Sequence, residues 1–211
     1  MKHMAHWQET LAVWGPAWAA VRDLEGSAED GSVVITGAVP ERLAPWPGDG
    51  AKAHAASFPP GTVLSLVTED AAAAREFAGP LGFRETGALV LLTAQTDDLD
   101  LVPSLPADAY VAEAPMENYD AVEVALFDRP VADGRIKLED GLGVLGNLTV
   151  DRGHDELVVA FEQAMVAALG DEAFLHGADV LYLVADAAQA ARFAAVEGWS
   201  KAAEIISFTK P

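Results

Sequence analysis

The chain of 211 residues holds 33 acidic side chains against 13 lysines and arginines, a formal net charge of −20, and 51% of its residues are hydrophobic. That charge offers no basic footprint for duplex nucleic acid and opposes an anionic membrane surface, while a polyamine, an aminoglycoside or a basic peptide suits it. The absence of cysteine excludes disulfides and thiol catalysis. The length allows one large domain or two small ones. No stretch is apolar over a membrane span, and the opening MKHMAHWQET is too polar for a signal peptide, so a cytoplasmic protein is expected.

Trp7, Leu11, Trp14, Trp18 and Val21 recur at helical spacing and predict an amphipathic helix kinked at Pro16. The stripe reads as core or interface; its functional reading makes Trp14 and Trp18 walls of a small-molecule cleft. SVVITG (32–37) is a short strand, VPERLAPWPGDG (39–50) with its three prolines is irregular, and 51–58 is a short helix. TVLSLVTE (62–69) predicts a strand, EDAAAAREFAGPLGF a helix ended by Gly79-Pro80, and ALVLLTAQ (88–95) another strand.

TDDLDLVPSLPADA (96–109) is acidic, has two prolines and reads as a linker. The divisions are therefore 1–95, a linker over 96–107, and 108–211. YVAEAP opens the second run, VEVALFD (122–128) and VADGRIKLE (131–139) are antiparallel strands, and LGVLGNLTV (142–150) is a third. ELVVAFEQAMVAALGDEAFLHG (156–177) is the longest helix, followed by the strand VLYLVAD, a helix over 187–197 and the strand EIISFTK.

The end of the chain has an earlier echo. LSLVTEDAAAAREFAGPLGFRETGALVLLTA (64–94) aligns with LYLVADAAQAARFAAVEGWSKAAEIISFTK (181–210), with one residue inserted in the first. Leu64, Leu66 and Val67 match Leu181, Leu183 and Val184; Phe77 matches Phe193; Gly82-Phe83 matches Gly198-Trp199. Each is a strand–helix–strand unit whose glycine permits a tight turn and whose aromatic anchors the returning strand. A partial internal duplication follows.

Strand, helix ending in Gly-Phe or Gly-Trp, and terminal strand resemble the C-terminal half of the GNAT acetyltransferase superfamily. LGVLGNLTV, the long helix and VLYLVAD are similar to that superfamily's central strand, coenzyme helix and next strand. The likeness covers most of 108–211, with the usual first two helices shortened to almost nothing, and in the first copy is clearest over 62–94. It implies an α+β fold of layered α/β type, an acetyltransferase-like mixed sheet flanked by helices. Acetyl-coenzyme A is the cofactor it implies.

The family's phosphate loop reads Arg/Gln-x-x-Gly-x-Gly/Ala. Here the register falls on DELVVA (155–160): Asp155 stands at the Arg/Gln position, Val158 at the middle glycine, and only Ala160 fits. Asp155 and Glu156 read as helix caps, and they repel a pyrophosphate. The tyrosine that protonates the departing thiolate in many relatives is replaced by Ala194 and Ala78, and an asparagine early in the same helix by Ala187 and Ala71. Tyr182 reads as a sheet anchor.

The remaining polar candidates are few. His154, beside Asp155, is the candidate base and otherwise an exposed turn residue; Asn147 orients a substrate or satisfies a strand kink. Backbone amides near Leu148 to Val150 are placed by the resemblance against a thioester carbonyl. Glu113 and Glu117 are candidate contacts for a cation and otherwise solvated surface. His3, His6 and His176 have no metal spacing. Two readings follow: an acetyltransferase-like binding or assembly module with a degenerate coenzyme site and no cofactor, or an N-acetyltransferase moving acetyl from acetyl-coenzyme A to a small cationic amine. Either is compatible with a homodimer, and the small-molecule or protein partner is unidentified.

Overall fold

The computed structural model describes residues 6–102 and 104–211; His3 and Pro103 of the linker lie outside them. The first half runs α1 (Leu11–Ala20), β1 (Glu25–Glu29), β2 (Ser32–Thr36), β3 (Glu41–Trp46), α2 (Asp49–Ala56), β4 (Val63–Thr68), α3 (Ala71–Ala78) and β5 (Arg84–Gln95). The second runs β6 (Ala109–Pro115), β7 (Asp120–Leu126), β8 (Arg129–Glu139), β9 (Leu142–Val150), α4 (Val158–Leu175), β10 (Val180–Ala185), α5 (Ala187–Ala194) and β11 (Ser200–Thr209).

The strands join into one mixed eleven-stranded sheet in the order β1-β2-β3-β4-β11-β5-β10-β9-β8-β7-β6. Among the described residues only β3–β4 and β9–β10 are parallel. The last strand of each half is set among strands of the other: β11 between β4 and β5, and β5 between β11 and β10. This mixed sheet flanked by helices is the expected α+β architecture.

Strand alternation fixes the layers. On β10, Leu181, Leu183 and Ala185 pack beneath α4 and α5 with Phe161, Met165 and Phe193, while Val180 and Tyr182 face the other way, toward Trp14 and Leu11 of α1. On β11, Ile206 and Phe208 pack with Ala51, Ala55 and Ala74 of α2 and α3. The register Ile206↔Leu66 and Ile206↔Ala88 puts that core on the same face as α4 and α5. Four helices thus cover one face, and α1 lies on the opposite one.

The two strand–helix–strand units share local devices. Asp70 Oδ1 accepts from Ala73 N at 3.0 Å, and Asp186 Oδ1 from Gln189 N at 2.8 Å, each capping its helix. Gly82 (φ 81°) and Gly198 (φ 94°) take left-handed turns before the buried Phe83 and Trp199.

Three elements depart from the sequence reading. Residues 41–46 form β3 despite Pro45: β2 pairs only with Glu41–Leu43, so beyond Leu43 that side of β3 faces no strand and needs no N–H. The polar β1, unrecognised in the sequence, is an exposed edge strand. The long helix begins later than expected, at Val158, after one 3-10 turn over Asp155–Leu157. Among the described residues no helix is long and apolar enough to cross a membrane.

Candidate functional site

The parallel strands β9 and β10 pair from Leu142↔Val180 to Leu145↔Leu183 and then diverge, β9 staying with β8 and β10 with β5. At the divergence β9 carries a bulge. Gly146 pairs with Arg135 and Thr149 with Asp133, so Asn147 and Leu148 face the single residue Gly134. Asn147 adopts φ 52°, a left-handed conformation its short amide tolerates. Gly134 leaves room for the bulge, since a Cβ there would stand 2.6 Å from Leu148 Cδ2. Asn147 Nδ2 and Thr149 Oγ1 both donate to Asp133, at 3.2 and 2.6 Å, which satisfies the kink.

On the helix side of the sheet, three polar side chains join α4, α5 and the bulge of β9. Glu162, 3% exposed within α4, accepts from Arg192 Nε at 2.7 Å and Nη2 at 2.6 Å, and from Gln189 Nε2 at 2.8 Å. Gln189 Nε2 also donates to the Leu148 carbonyl at 3.1 Å, tying α5 to the bulge. Gln189 and Arg192 are three residues apart and share a helix face, and the Asp186 cap sets where that face begins. The gap left beside Val159, Glu162 and Phe193 is about 10 Å³, the scale of a single water. Glu162, Gln189 and Arg192 thus pack together where α4 and α5 meet the bulge of β9.

The opposite side is covered by the end of α1. Val21 packs on Gly146, where a Cβ would come within 2.5 Å of Val21 Cγ2. Arg135 donates to the Val21 carbonyl at 3.1 Å, pairs with Asp23 at 2.5 Å and stacks 4.6 Å over Tyr119, whose hydroxyl donates to Asp23 at 2.9 Å. The Arg135 hydrogen bond, aided by Tyr119, holds the Asp23 carboxyl below its ordinary pKa.

The register of the expected phosphate loop falls at the start of α4. Val158 is its first residue, with Ala160 half-buried two positions on. Asp155 and Glu156 lie exposed in the preceding 3-10 turn. Neither they nor any other side chain caps the α4 amides, so the expected caps are not formed. His154 is half-buried at the turn, its ring 6.3 Å from that of Phe161. Leu148 is buried and Val150 half-buried on the last turn of β9. Glu113 and Glu117 are exposed, on β6 and the β6–β7 turn.

Trp14 and Trp18 sit in the core, 0% and 5% exposed. Trp14 Nε1 donates to the Trp7 carbonyl at 2.8 Å, and Arg22 lies 4.2 Å over Trp18. Tyr182 is fully buried beneath α1, with its hydroxyl 3.0 Å from Thr10 Oγ1. No group of three or more His, Asp or Glu among the described residues could hold a metal.

The parallel pair of the first half has no divergence: β3 and β4 pair from Glu41↔Val63 to Trp46↔Thr68. Trp46 stacks on Phe77 of α3 at 4.0 Å. α2, the helix between β3 and β4, does open on Gly48-Asp49-Gly50, a small-residue start that sequence reasoning absorbed into an irregular stretch. Glu162, Gln189 and Arg192 were missed too. The available signal was the carboxylate at 162, with Gln163 beside it, inside the otherwise apolar VVAFEQAMVAAL run.

No protein-family model matches the sequence, and no curated protein matches it. Solved structures do. A GCN5-related N-acetyltransferase from Kribbella flavida is 18% identical, with TM-score 0.63 over 92% of this chain and 91% of that one. One from Sphaerobacter thermophilus is 10% identical, with TM-score 0.56 over 85% and 80%. A tandem GNAT protein of the clavulanic acid biosynthesis pathway is 12% identical, with TM-score 0.56 over 88% and 82%. At these identities the likeness is one of fold, and the chain has the fold of the GNAT acetyltransferases.

Proposed function

We propose that the chain is a binding or assembly module on an acetyltransferase fold, working without coenzyme A. The observation that carries the reading is the Glu162–Gln189–Arg192 cluster, which joins α4 to α5 and engages the Leu148 carbonyl beside the divergence where the resemblance would run a thioester arm. Asp155, Glu156 and Val158 at the start of α4 support it, as do Ala194 and Ala78 at the proton-donor positions. The molecule is a partial internal duplication, 1–95 and 108–211 joined over 96–107. The shared Asp caps, left-handed glycines and buried aromatics of the two strand–helix–strand units favour that history.

N-acetyl transfer from acetyl-coenzyme A to a small cationic amine is the second reading. The retained divergence of β9 from β10 and the bulge at Asn147 favour it. It would use His154 as base, Asn147 to orient the amine, and Glu113 and Glu117 to attract it. A thiol-release assay with acetyl-coenzyme A and a panel of polyamines and aminoglycosides separates the two. The chain has no cysteine, so a thiol reagent reads coenzyme A alone. The module reading expects release at the rate of the protein-free control; amine-dependent turnover would establish the enzyme.

A further inference from the structure

The sheet face opposite α2–α5 carries a single helix, and beside it lies an open trough of about 800 Å³, between the outward side of α1 and the β8–β9 hairpin. Its floor is apolar, made by the half-buried Val13, Pro16, Ala20 and Leu24. Its banks are acidic, with exposed Glu25 on β1 and exposed Glu139 and Asp140 at the hairpin. Among the described residues Lys137 is the one cation in the lining, and Asp23, the remaining carboxylate, is engaged by Arg135. The floor is held rigid from beneath: Trp14 is bonded to Trp7, Val21 seats on Gly146, and Arg22 stacks on Trp18 while pairing with Glu41 at 3.2 Å. A preformed surface loses little entropy on binding.

The charges select the occupant. Carboxylates on both banks repel one another and are stabilised by cations from outside. A second copy of this chain would face acid with acid. The volume lies within the roughly 300–1,000 Å³ of small-molecule cavities, but such ligands are held by enclosure of most of their surface, and this trough is open. An extended or helical segment gains instead from many contacts along an open groove. We propose that the trough docks a basic segment of a partner protein, its small apolar side chains on α1 and its Lys or Arg side chains on Glu25, Glu139 and Asp140. The inference rests on the binding-module reading and gives that module its partner class.

The test is fluorescence anisotropy at physiological ionic strength with a labelled peptide of repeated Lys-Leu-Ala. Glu25→Gln/Glu139→Gln/Asp140→Asn is compared with the equally charged control Asp155→Asn/Glu156→Gln/Glu197→Gln, and Val13→Lys places a cation on the floor. We expect the trough triple variant and Val13→Lys to bind about tenfold more weakly or worse, and the control within about twofold of wild type. Equal losses in the two triple variants would reduce the binding to diffuse charge and overturn the proposal. So would spermine binding as tightly as the peptide, or a wild-type dimer that the trough variants dissociate. Acetyl-coenzyme A, titrated separately, tests the module reading alone: coenzyme binding with peptide docking intact contradicts that reading and not the trough.

Discussion

Glu162 is a carboxylate buried on a largely apolar helix, and burial of such a group is tolerated only with partners. Arg192→Met removes its counter-charge. The expected loss is about 2–3 kcal/mol, below the ~3–5 of a fully buried pair because a third of the Arg192 side chain remains in solvent. Glu162→Leu/Arg192→Met should fall within about 1 kcal/mol of wild type, since no charge is then left unpaired. Denaturant midpoints decide, and a single variant as stable as wild type would mean that the cluster is not a unit. His54 gives a pH signature. Burial, and then Arg42 at 3.4 Å, hold its imidazole below the ordinary value, with Asp30 opposing. A depressed folded pKa means stability that is present above roughly pH 6.5 and is lost as pH falls through the folded value. His54→Gln should therefore flatten the pH dependence of the midpoint below pH 6.5, and an unchanged profile would remove His54 as its source. At this scale the sequence was legible for what was missing, such as Val158 and Ala194, and illegible for what replaced it. Glu162 is far in the chain from Gln189 and Arg192, and only the packing of α4 on α5 brings them together.

The strand–helix–glycine–aromatic–strand units were readable because their signals are local: an Asp before the helix, an apolar face along it, and a glycine where the chain must turn left-handed. Trp199 is the test. It is 8% exposed and packs edge-on against Phe193 at 5.4 Å, so Trp199→Ala should cost about 3–5 kcal/mol. An unchanged denaturation midpoint would contradict its anchoring role. Gly198 before it stands where a Cβ would meet Asp98 O at 2.9 Å, so the turn also seats the start of the 96–107 stretch. β3 was hidden because Pro40, Pro45 and Pro47 signal irregular chain, and only the missing β2 partner beyond Leu43 makes a proline harmless there. β1 was hidden because a polar edge strand has no alternation to read.

The order of the strands belongs to the whole molecule, and no local pattern encodes it. With β11 between β4 and β5, and β5 between β11 and β10, neither half completes its sheet alone. The chain should unfold in one cooperative transition. Tryptophan fluorescence, weighted to the first half by Trp7, Trp14, Trp18 and Trp46, should coincide with far-ultraviolet circular dichroism, and separated midpoints would show independent halves. The fold keeps the divergence of β9 and β10, and in the proposed reading Glu162, Gln189 and Arg192 on one face and the end of α1 on the other close it to a coenzyme. The net charge of −20 adds a salt-screened repulsion toward any polyphosphate. Isothermal calorimetry of the wild-type protein with acetyl-coenzyme A at physiological ionic strength tests this closure most directly. The expected result is no saturable heat, a dissociation constant weaker than about 1 mM; a one-site isotherm in the micromolar range would contradict it.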